Sequence, residues 1–211
     1  MLVIGAKGFA KEILQVLNKK NELENLTFFD DVNIEIGTNL FNRFPIIKSE
    51  NEAKKYFELI DNRFTIGVGN PDLRKLFCDK FTQIGGILTS TIAIDAEIGT
   101  FGVEIQNGCN ILSGVKISND VKIGTGTIVY YNSIVTHDVK VGDFCEISPN
   151  VTLLGRCKIG NYCKIGSGST ILPDLSIGNN VIIGAGSLVT KDIPDNVLVY
   201  GSPAKIIKYI L

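Results

Sequence analysis

Apolar positions in the first 85 residues alternate between short continuous runs and helical spacings. The short runs predict strands at Leu2–Ile4, Leu26–Phe29 and Phe64–Val68. The helical spacings predict three amphipathic helices, whose apolar faces carry Ala10, Ile13, Leu14 and Leu17, then Ala53, Tyr56, Phe57 and Ile60, then Leu73, Leu76, Phe77, Phe81 and Ile84. Asn70 and Pro71 suit the N-cap and first position of the third helix. Strands that alternate with helices predict an α/β part with a small, Rossmann-like parallel sheet.

A strict period of six replaces this alternation in the second half of the chain. Every sixth position from Ile105 to Val189 is Ile, Val or Leu, and the position four residues after each is small or aliphatic. Such a period is typical of the parallel β-helix, in which three hexads close one triangular coil. The glycines mark the same 18-residue coil at Gly124, Gly142, Gly160 and Gly178. We therefore predict an all-β, solid prism of stacked aliphatic side chains.

The change of pattern divides the chain into two parts and a tail. We assign residues 1–85 to the α/β domain, residues 86–200 to the β-helix and residues 201–211 to a C-terminal tail. Composition follows this division, since nine of the 11 phenylalanines precede residue 85 and 17 of the 22 glycines lie at or after it. We expect the α/β part to cover one end of the prism and the tail to cover the other.

Charge and cysteine usage exclude several classes of protein. Lys plus Arg number 21 and Asp plus Glu 22, which argues against a basic surface for nucleic acid. The sequence shows neither an apolar run of membrane-spanning length nor a signal-peptide pattern at its start. Five cysteines without metal-type spacing favour a reduced, cytoplasmic protein, and Cys109, Cys145, Cys157 and Cys163 fall at inward, core positions. The single histidine excludes a three-histidine zinc site, and we expect no metal.

The one histidine lies at a position that suits catalysis. His137 follows the aliphatic Val135 by two residues, which places it at a corner of the prism with its side chain outward. Gly155 occupies the same corner one coil later, so strand spacing puts the two about 5 Å apart. An imidazole titrates near neutral pH and suits proton abstraction, while a rigid backbone N–H suits an oxyanion. This pairing favours a catalytic histidine over an ordinary surface one.

Six stretches of the sequence resemble one enzyme family. They are Ile4–Glu12, Phe28–Asp31, Gly67–Lys75, Val135–Phe144, Val189–Pro194 and Gly201–Lys205. They resemble the left-handed β-helix acyltransferases and, among these, the sialic acid O-acetyltransferase family, which includes N-acetyltransferases of UDP-4-amino-sugars. The left hand of the coil is implied by this resemblance, since the usual crossover rule would give the opposite hand.

The resemblance implies a homotrimeric enzyme of glycan biosynthesis that holds acetyl-CoA between neighbouring prisms. It implies that His137 is the general base, that Asp138 orients the imidazole and that the N–H of Gly155 binds the thioester oxygen. The residues that match the acetyl-CoA cleft are Glu146, Ser167, Ala185 and Lys205. The residues that match the nucleotide-sugar pocket are Lys7, Gly8, Phe9, Asp30, Asp31, Gly69 and Asn70. Phe9 and Glu146 depart from the family, which often has histidine at these two positions.

The predicted function is transfer of an acetyl group from acetyl-CoA to an amino or hydroxyl group of a sugar, with a nucleotide-linked sugar expected. An O-acetyltransferase of sialic acid or a related sugar is one alternative. A non-catalytic trimeric scaffold or sugar-nucleotide sensor is another. Gly5 and Gly8 precede a helix, as in phosphate-binding loops, but the missing dinucleotide fingerprint argues against NAD. A plain turn is the alternative for this loop, and a solvated strand end is the alternative for Asp30.

Overall fold

A six-stranded sheet with helices on both faces forms the first part of the chain. A computed structural model describes residues 1–210, apart from the side chain at position 34. The elements of this part are β1 (Leu2–Ile4), α1 (Gly8–Lys19), β2 (Thr27–Phe29), a 3₁₀ turn (Ile34–Ile36), β3 (Asn39–Leu40), β4 (Phe44–Ile47), α2 (Glu50–Leu59), β5 (Arg63–Ile66), α3 (Pro71–Gln83) and β6 (Ile87–Leu88). The strand order is β3-β4-β2-β1-β5-β6, and only the β3–β4 pair is antiparallel. The predicted Rossmann-like α/β class is confirmed, with the β3–β4 hairpin as an unpredicted addition.

The alternation of side chains along β1 and β2 decides which helices cover which face. Val3 and Phe28 pack with α1, whereas Ile4 and Phe29 point the other way and pack with α2 and α3. The chain therefore winds from β1 through α1 to β2 on one face and from β4 through α2 to β5 on the other. In such sheets, ligands bind beyond the carboxyl ends of the strands, where the winding direction changes. Here that point lies between β1 and β5.

Residues 91–209 form a triangular prism with three sheets as its sides. The strands of the first side are Thr91–Ile92, Asn110–Ile111, Ile128–Val129, Glu146–Ile147, Lys164–Ile165, Ile182–Ile183, Val197–Gly201 and Ala204–Tyr209. The strands of the second side are Glu97–Ile98, Lys116–Ile117, Ile134–Val135, Thr152–Leu153, Thr170–Ile171 and Leu188–Val189. The strands of the third side are Glu104–Ile105, Lys122–Ile123, Lys140–Val141, Lys158–Ile159 and Ser176–Ile177. This arrangement confirms the predicted β-helix.

Stacked aliphatic side chains fill the prism, as the period of six predicts. Ile147 pairs in register with Ile165, 18 residues later, and both are fully buried. Cys109, Cys145, Cys157 and Cys163 are fully buried in the same core, which confirms their assignment to the inward column. Burial raises the pKa of the Cys109 and Cys157 thiols to about 12, so both stay protonated and unreactive.

The α/β part packs against the first side of the prism, and the expectation that it covers an end was incomplete. Leu112 and Ile128 lie on the outward face of this side and are buried against α1 and β1. Asn110 accepts a hydrogen bond from Thr65 of β5 (3.1 Å) and donates one to the carbonyl of Ile66 (3.3 Å). At the other end of the prism, the tail pairs with Val197–Gly201 as an antiparallel strand that extends the same side.

Candidate active site

A cleft of about 380 Å³ opens at the carboxyl ends of β1, β2 and β5. Six of the seven residues predicted for the nucleotide-sugar pocket line it, namely Lys7, Gly8, Phe9, Asp30, Asp31 and Gly69. The seventh, Asn70, caps α3 instead, with its side chain accepting a hydrogen bond from the N–H of Leu73 at 3.1 Å. Leu73 and Phe77 of α3 add an apolar wall that the sequence reasoning did not assign to a site. The cleft thus lies where the winding of the sheet changes direction.

Two glycines let the floor of the cleft close tightly. A Cβ atom at Gly67 would lie 2.8 Å from the Cβ of Ala10, and one at Gly5 would lie 2.9 Å from the carbonyl oxygen of Gly67. Gly5 also has a φ of +105°, which favours glycine. This close approach brings the first turn of α1 to the cleft, and Lys7 at its N-cap provides no side-chain cap. The free N–H groups of this turn form a suitable site for a phosphate group.

Asp30 organises the loop that forms one rim of the cleft. Its carboxylate accepts hydrogen bonds from the backbone N–H groups of Val32 (3.2 Å) and Asn33 (2.9 Å) and from the side chain of Asn33 (3.0 Å). The Asp30 side chain is buried, while Asp31 is exposed and lies 3.8 Å from the ammonium of Lys80. The sequence reasoning missed Asn33, although its place after two aspartates at the end of a strand is typical of such loops.

His137, Asp138 and Gly155 meet at one corner of the prism. Nδ1 of His137 lies 2.8 Å from Oδ2 of Asp138, and both side chains are about half exposed. The imidazole lies over Gly155, because a Cβ there would be 2.6 Å from Cε1 and 2.8 Å from Nε2 of His137. Asp138 holds a φ of +61°, as Asn and Asp do at many corners of this prism. The column that the spacing predicted is present. Asp138 contacts Nδ1 of His137, so Nε2 lies on the other side of the ring.

The backbone N–H of Gly155 donates no hydrogen bond within the described part of the chain. In the same column, the N–H of Phe101 donates to the side chain of Asn119, one coil later, at 3.3 Å. One coil after Gly155 the chain has Pro173, whose side chain cannot accept a hydrogen bond. The N–H of Gly155 is therefore free to donate to a ligand beside the imidazole.

The histidine corner and the cleft lie on opposite parts of the prism. His137 follows the second-side strand Ile134–Val135 and precedes the third-side strand Lys140–Val141. The corner between the second and third sides is opposite the first side, against which the α/β part packs. Within one chain, the cleft therefore opens away from the imidazole.

Glu146 lies where the cleft meets the first side of the prism. It points outward, one coil after the buried Ile128 and one coil before Lys164. Its Oε2 would be 3.9 Å from a Cβ atom at Gly69, which lines the cleft. The phenol ring of Tyr130 lies between the two parts of the chain, 5.3 Å from the ring of Phe9. The sequence reasoning did not single out Tyr130.

Arg74 of α3 links the α/β part to the prism beside Glu146. Its guanidinium is fully buried and donates to the carbonyl oxygens of Gly126 (3.0 Å), Cys145 (3.0 Å), Phe144 and Gly69. Burial lowers the pKa of Arg74 to about 10, and the nearby carboxylate of Glu146 opposes that shift, so the guanidinium stays charged at neutral pH. Burial in turn raises the pKa of Glu146, against the nearby charges of Arg74 and Lys164.

Ser167 and Ala185, predicted for the acetyl-CoA cleft, stack at the corner between the first and second sides. Neither backbone N–H donates to another group within residues 1–210. Lys205 lies on the last strand, paired across the hairpin with Tyr200. The described residues contain no helix long and apolar enough to cross a membrane. They also contain no cluster of three or more His, Cys, Asp or Glu side chains arranged to hold a metal ion.

Comparison with protein families assigns both parts of the chain. Residues 1–81 match the PglD N-terminal domain, and residues 138–173 and 156–191 match the bacterial transferase hexapeptide repeat. A comparison with curated protein sequences found no match. The two family models match the two parts that the hydrophobic pattern distinguishes.

Solved structures resemble the chain over nearly its whole length. A perosamine N-acetyltransferase from Caulobacter crescentus, in complex with CoA and GDP-perosamine, is 27% identical, with a TM-score of 0.90 over 98% of this chain and 96% of that one. The acetyltransferase domain of PglB from Neisseria gonorrhoeae, in complex with acetyl coenzyme A, is 27% identical, with a TM-score of 0.87 over 98% of both chains. WeeI from Acinetobacter baumannii, 24% identical with a TM-score of 0.67 and 98% coverage of both chains, shares the fold.

Proposed function

We propose that this chain, which resembles the left-handed β-helix acyltransferases in both of its parts, transfers an acetyl group from acetyl-CoA to a nucleotide-linked sugar. The observation that carries the proposal is the contact of the His137 imidazole with both Asp138 and Gly155 at an exposed corner. The cleft at the ends of β1, β2 and β5 supports a nucleotide-linked acceptor. Acetyl-CoA as the donor is supported by two similar enzymes, one solved in complex with CoA and a nucleotide sugar and the other with acetyl coenzyme A.

In the proposed mechanism, His137 is the general base. The Asp138 contact at Nδ1 favours the tautomer with its proton on Nδ1, which leaves Nε2 free to accept a proton from the acceptor amine or hydroxyl. The acceptor atom bonds to the thioester carbonyl carbon, and the N–H of Gly155 donates to the oxyanion that forms. The C–S bond then breaks, and the imidazolium returns its proton to the CoA thiolate.

The proposal requires two copies of the chain for one active site. His137 and the cleft of the same chain lie on opposite parts of the prism, so the imidazole needs the cleft of a neighbouring copy. We propose a homotrimer in which the histidine corner of one prism faces the first side of the next. The free N–H groups of Ser167 and Ala185, at the edge of that first side, then suit the polar groups of coenzyme A, and Lys205 suits one of its phosphates.

Two alternatives predict different products. An O-acetyltransferase of sialic acid or a related sugar would use the same imidazole on a hydroxyl group, without need of a nucleotide cleft. A non-catalytic scaffold or sugar-nucleotide sensor would have the cleft but no use for His137. We further propose a reducing, cytoplasmic location, supported by the five free thiols of the described residues.

A thermal-shift screen with nucleotide sugars, each with and without CoA, tests the proposed acceptor class, and release of free CoA thiol tests turnover. We expect stabilisation by a nucleotide sugar, thiol release with that sugar and its loss in His137→Ala. Stabilisation by free sialic acid alone would favour the first alternative. Sugar binding without thiol release would favour the second.

Asp30→Ala tests whether the cleft holds the acceptor. Loss of the carboxylate frees the N–H groups of Val32 and Asn33 and loosens the rim of the cleft. We expect the acceptor KM to increase about 10- to 100-fold, as for a lost hydrogen bond to a charged group, while acetyl-CoA affinity is unchanged. Unchanged acceptor kinetics would mean that the α/β part only covers the prism.

A further inference from the structure

We infer that Glu146 receives the acceptor as an ammonium ion and removes its first proton, so that the acceptor atom is the nitrogen of an amino sugar. This inference rests on the proposed function and deepens it. The first observation is the position of Glu146. It points outward from the first side of the prism, at the edge of the area that the α/β part covers, and its Oε2 faces Gly69 at the cleft. A sugar that extends from the cleft toward the prism meets this carboxylate.

The surroundings of Glu146 suit a cation. In the described residues its carboxylate has no salt bridge within 4.0 Å. The nearest buried cation, Arg74, spends its donors on four backbone carbonyl oxygens. The ring of Tyr130 lies 5.3 Å from that of Phe9, and Phe9 lines the cleft at the same junction. A half-buried carboxylate without a salt-bridge partner in the described residues binds an ammonium better than a hydroxyl group.

Proton balance gives Glu146 a role that an alcohol acceptor would not need. An alcohol loses one proton, which His137 takes and returns to the thiolate. An amine that arrives as R–NH₃⁺ must lose one more, because only the neutral amine has a lone pair for attack. Glu146 takes this first proton and becomes a carboxylic acid, and His137 of the neighbouring copy takes the second as the N–C bond forms. The proton on Glu146 passes to water, and the sum is amide, free CoA and one proton.

The groups that face Glu146 fit this role. Arg74 approaches from α3 and Lys164 from the next coil, the side chain of Ser148 lies close by, and Tyr130 of the preceding coil is near both Glu146 and Glu12 of α1. Burial raises the pKa of Glu146 above its ordinary value, and the two cations keep it from rising further. The carboxylate therefore holds a proton more firmly than an exposed carboxylate would.

The experiment compares two acceptors and three proteins. The acceptors are the GDP-, UDP- or dTDP-linked 4-amino-sugar that the wild-type protein acetylates fastest and its counterpart with a hydroxyl group in place of the amine. The proteins are wild type, Glu146→Gln and the control Glu97→Gln, which removes an exposed outward carboxylate from the second side. The readout is kcat/KM for thiol release as a function of pH, with melting temperature as the check on folding.

We expect Glu146→Gln to lower kcat/KM for the amino sugar about 10- to 100-fold at neutral pH, the worth of one hydrogen bond to a charged group. The deficit should shrink as the pH rises, because the free amine then arrives neutral and needs no first base. Glu97→Gln should match wild type at every pH. Glu146→Asp, which keeps the charge on a shorter side chain, should recover part of the loss.

Two results would overturn this inference, and they are distinguishable from failure of the proposed function. Turnover of the amino sugar by Glu146→Gln at the wild-type rate, or with a deficit independent of pH, would contradict the role of Glu146 while leaving the acetyltransferase intact. Faster turnover of the hydroxyl counterpart by wild type would contradict the amine acceptor. Absence of turnover with every sugar in the panel would contradict the proposed function itself.

Discussion

Two corner columns of the same prism have opposite hydrogen-bonding patterns. At the corner between the third and first sides, each backbone N–H donates to an Asp or Asn side chain one coil later: Thr125 to Asp143, Asp143 to Asn161, Asn161 to Asn179 and Asn179 to Asp195, at 2.7–2.9 Å. At the histidine corner this ladder stops, because Gly155 and Pro173 have no side chain that accepts a hydrogen bond.

The difference separates what holds the prism together from what the prism presents to a ligand. A closed corner satisfies its own donors and needs no partner. Among residues 1–210, the N–H groups of Gly155 at the histidine corner and of Ser167 and Ala185 at another corner have no acceptor. These are the two corners for which the family resemblance predicts catalysis and acetyl-CoA binding. Substitutions that remove an acceptor from the closed column should therefore change stability, and those that remove the base or occupy a free N–H in the open columns should change activity.

His137→Ala should have the largest effect. We expect kcat to fall by about 10²–10⁴, the usual worth of a positioned general base. The side chain is 55% exposed, so its removal leaves no core cavity and the melting temperature should stay near the wild-type value. Steady-state thiol release at saturating acetyl-CoA measures the loss. A variant with wild-type kcat/KM would remove the histidine corner from the active site.

Pro173→Asn should close the open corner without touching the histidine. An asparagine there would offer its side-chain oxygen to the N–H of Gly155, as Asn161 does for Asp143. We expect kcat to fall by up to about 10²–10³, the cost of losing one oxyanion donor, with little change in stability. Pro173→Ala is the matched control, since it adds no acceptor and should keep kcat. Equal activity of the two variants would mean that the N–H of Gly155 takes no part in the reaction.

Asn161→Ala should have the smallest effect, and only on stability. It removes the acceptor for the N–H of Asp143 in the closed column, which should lower the free energy of unfolding by about 0.5–1.5 kcal/mol. Denaturant unfolding measures this change, and kcat should match wild type. A loss of activity larger than the loss of folded protein would contradict the assignment of a purely structural role to the closed corner.

The prism was predictable because its sequence repeats one local rule. Each hexad places one aliphatic residue inward, so the position of His137 over Gly155 follows from counting residues. The N-cap at Asn70 was equally local, since its side chain bonds the N–H three residues later. Burial of Ile111, Ile147 or Val189 needed no knowledge of the tertiary contacts, because the strand period alone sets it.

The junction between the two parts was not predictable, because it depends on contacts between distant segments. In the sequence, Arg74 is indistinguishable from a surface residue of a helix. In the structure it is fully buried and donates hydrogen bonds to four carbonyl oxygens from both parts of the chain. Glu146 reads as an outward residue of one hexad, and only the docking of the α/β part against the first side places it beside Gly69. The hairpin β3–β4 was missed because two- to four-residue strands leave too little periodicity.

Mixing two inactive variants tests most directly whether two copies share one active site. His137→Ala keeps an intact cleft, and Gly69→Leu adds bulk at the cleft while keeping His137, with Glu146 the one described residue within 4 Å of the added Cβ atom. Co-expressed with different tags, the two should form mixed trimers in which one interface, about a third of the total, pairs an intact cleft with an intact histidine. A shared active site predicts recovery of up to about a third of wild-type activity in trimers that carry both tags. Mixed trimers no more active than either variant alone would contradict it.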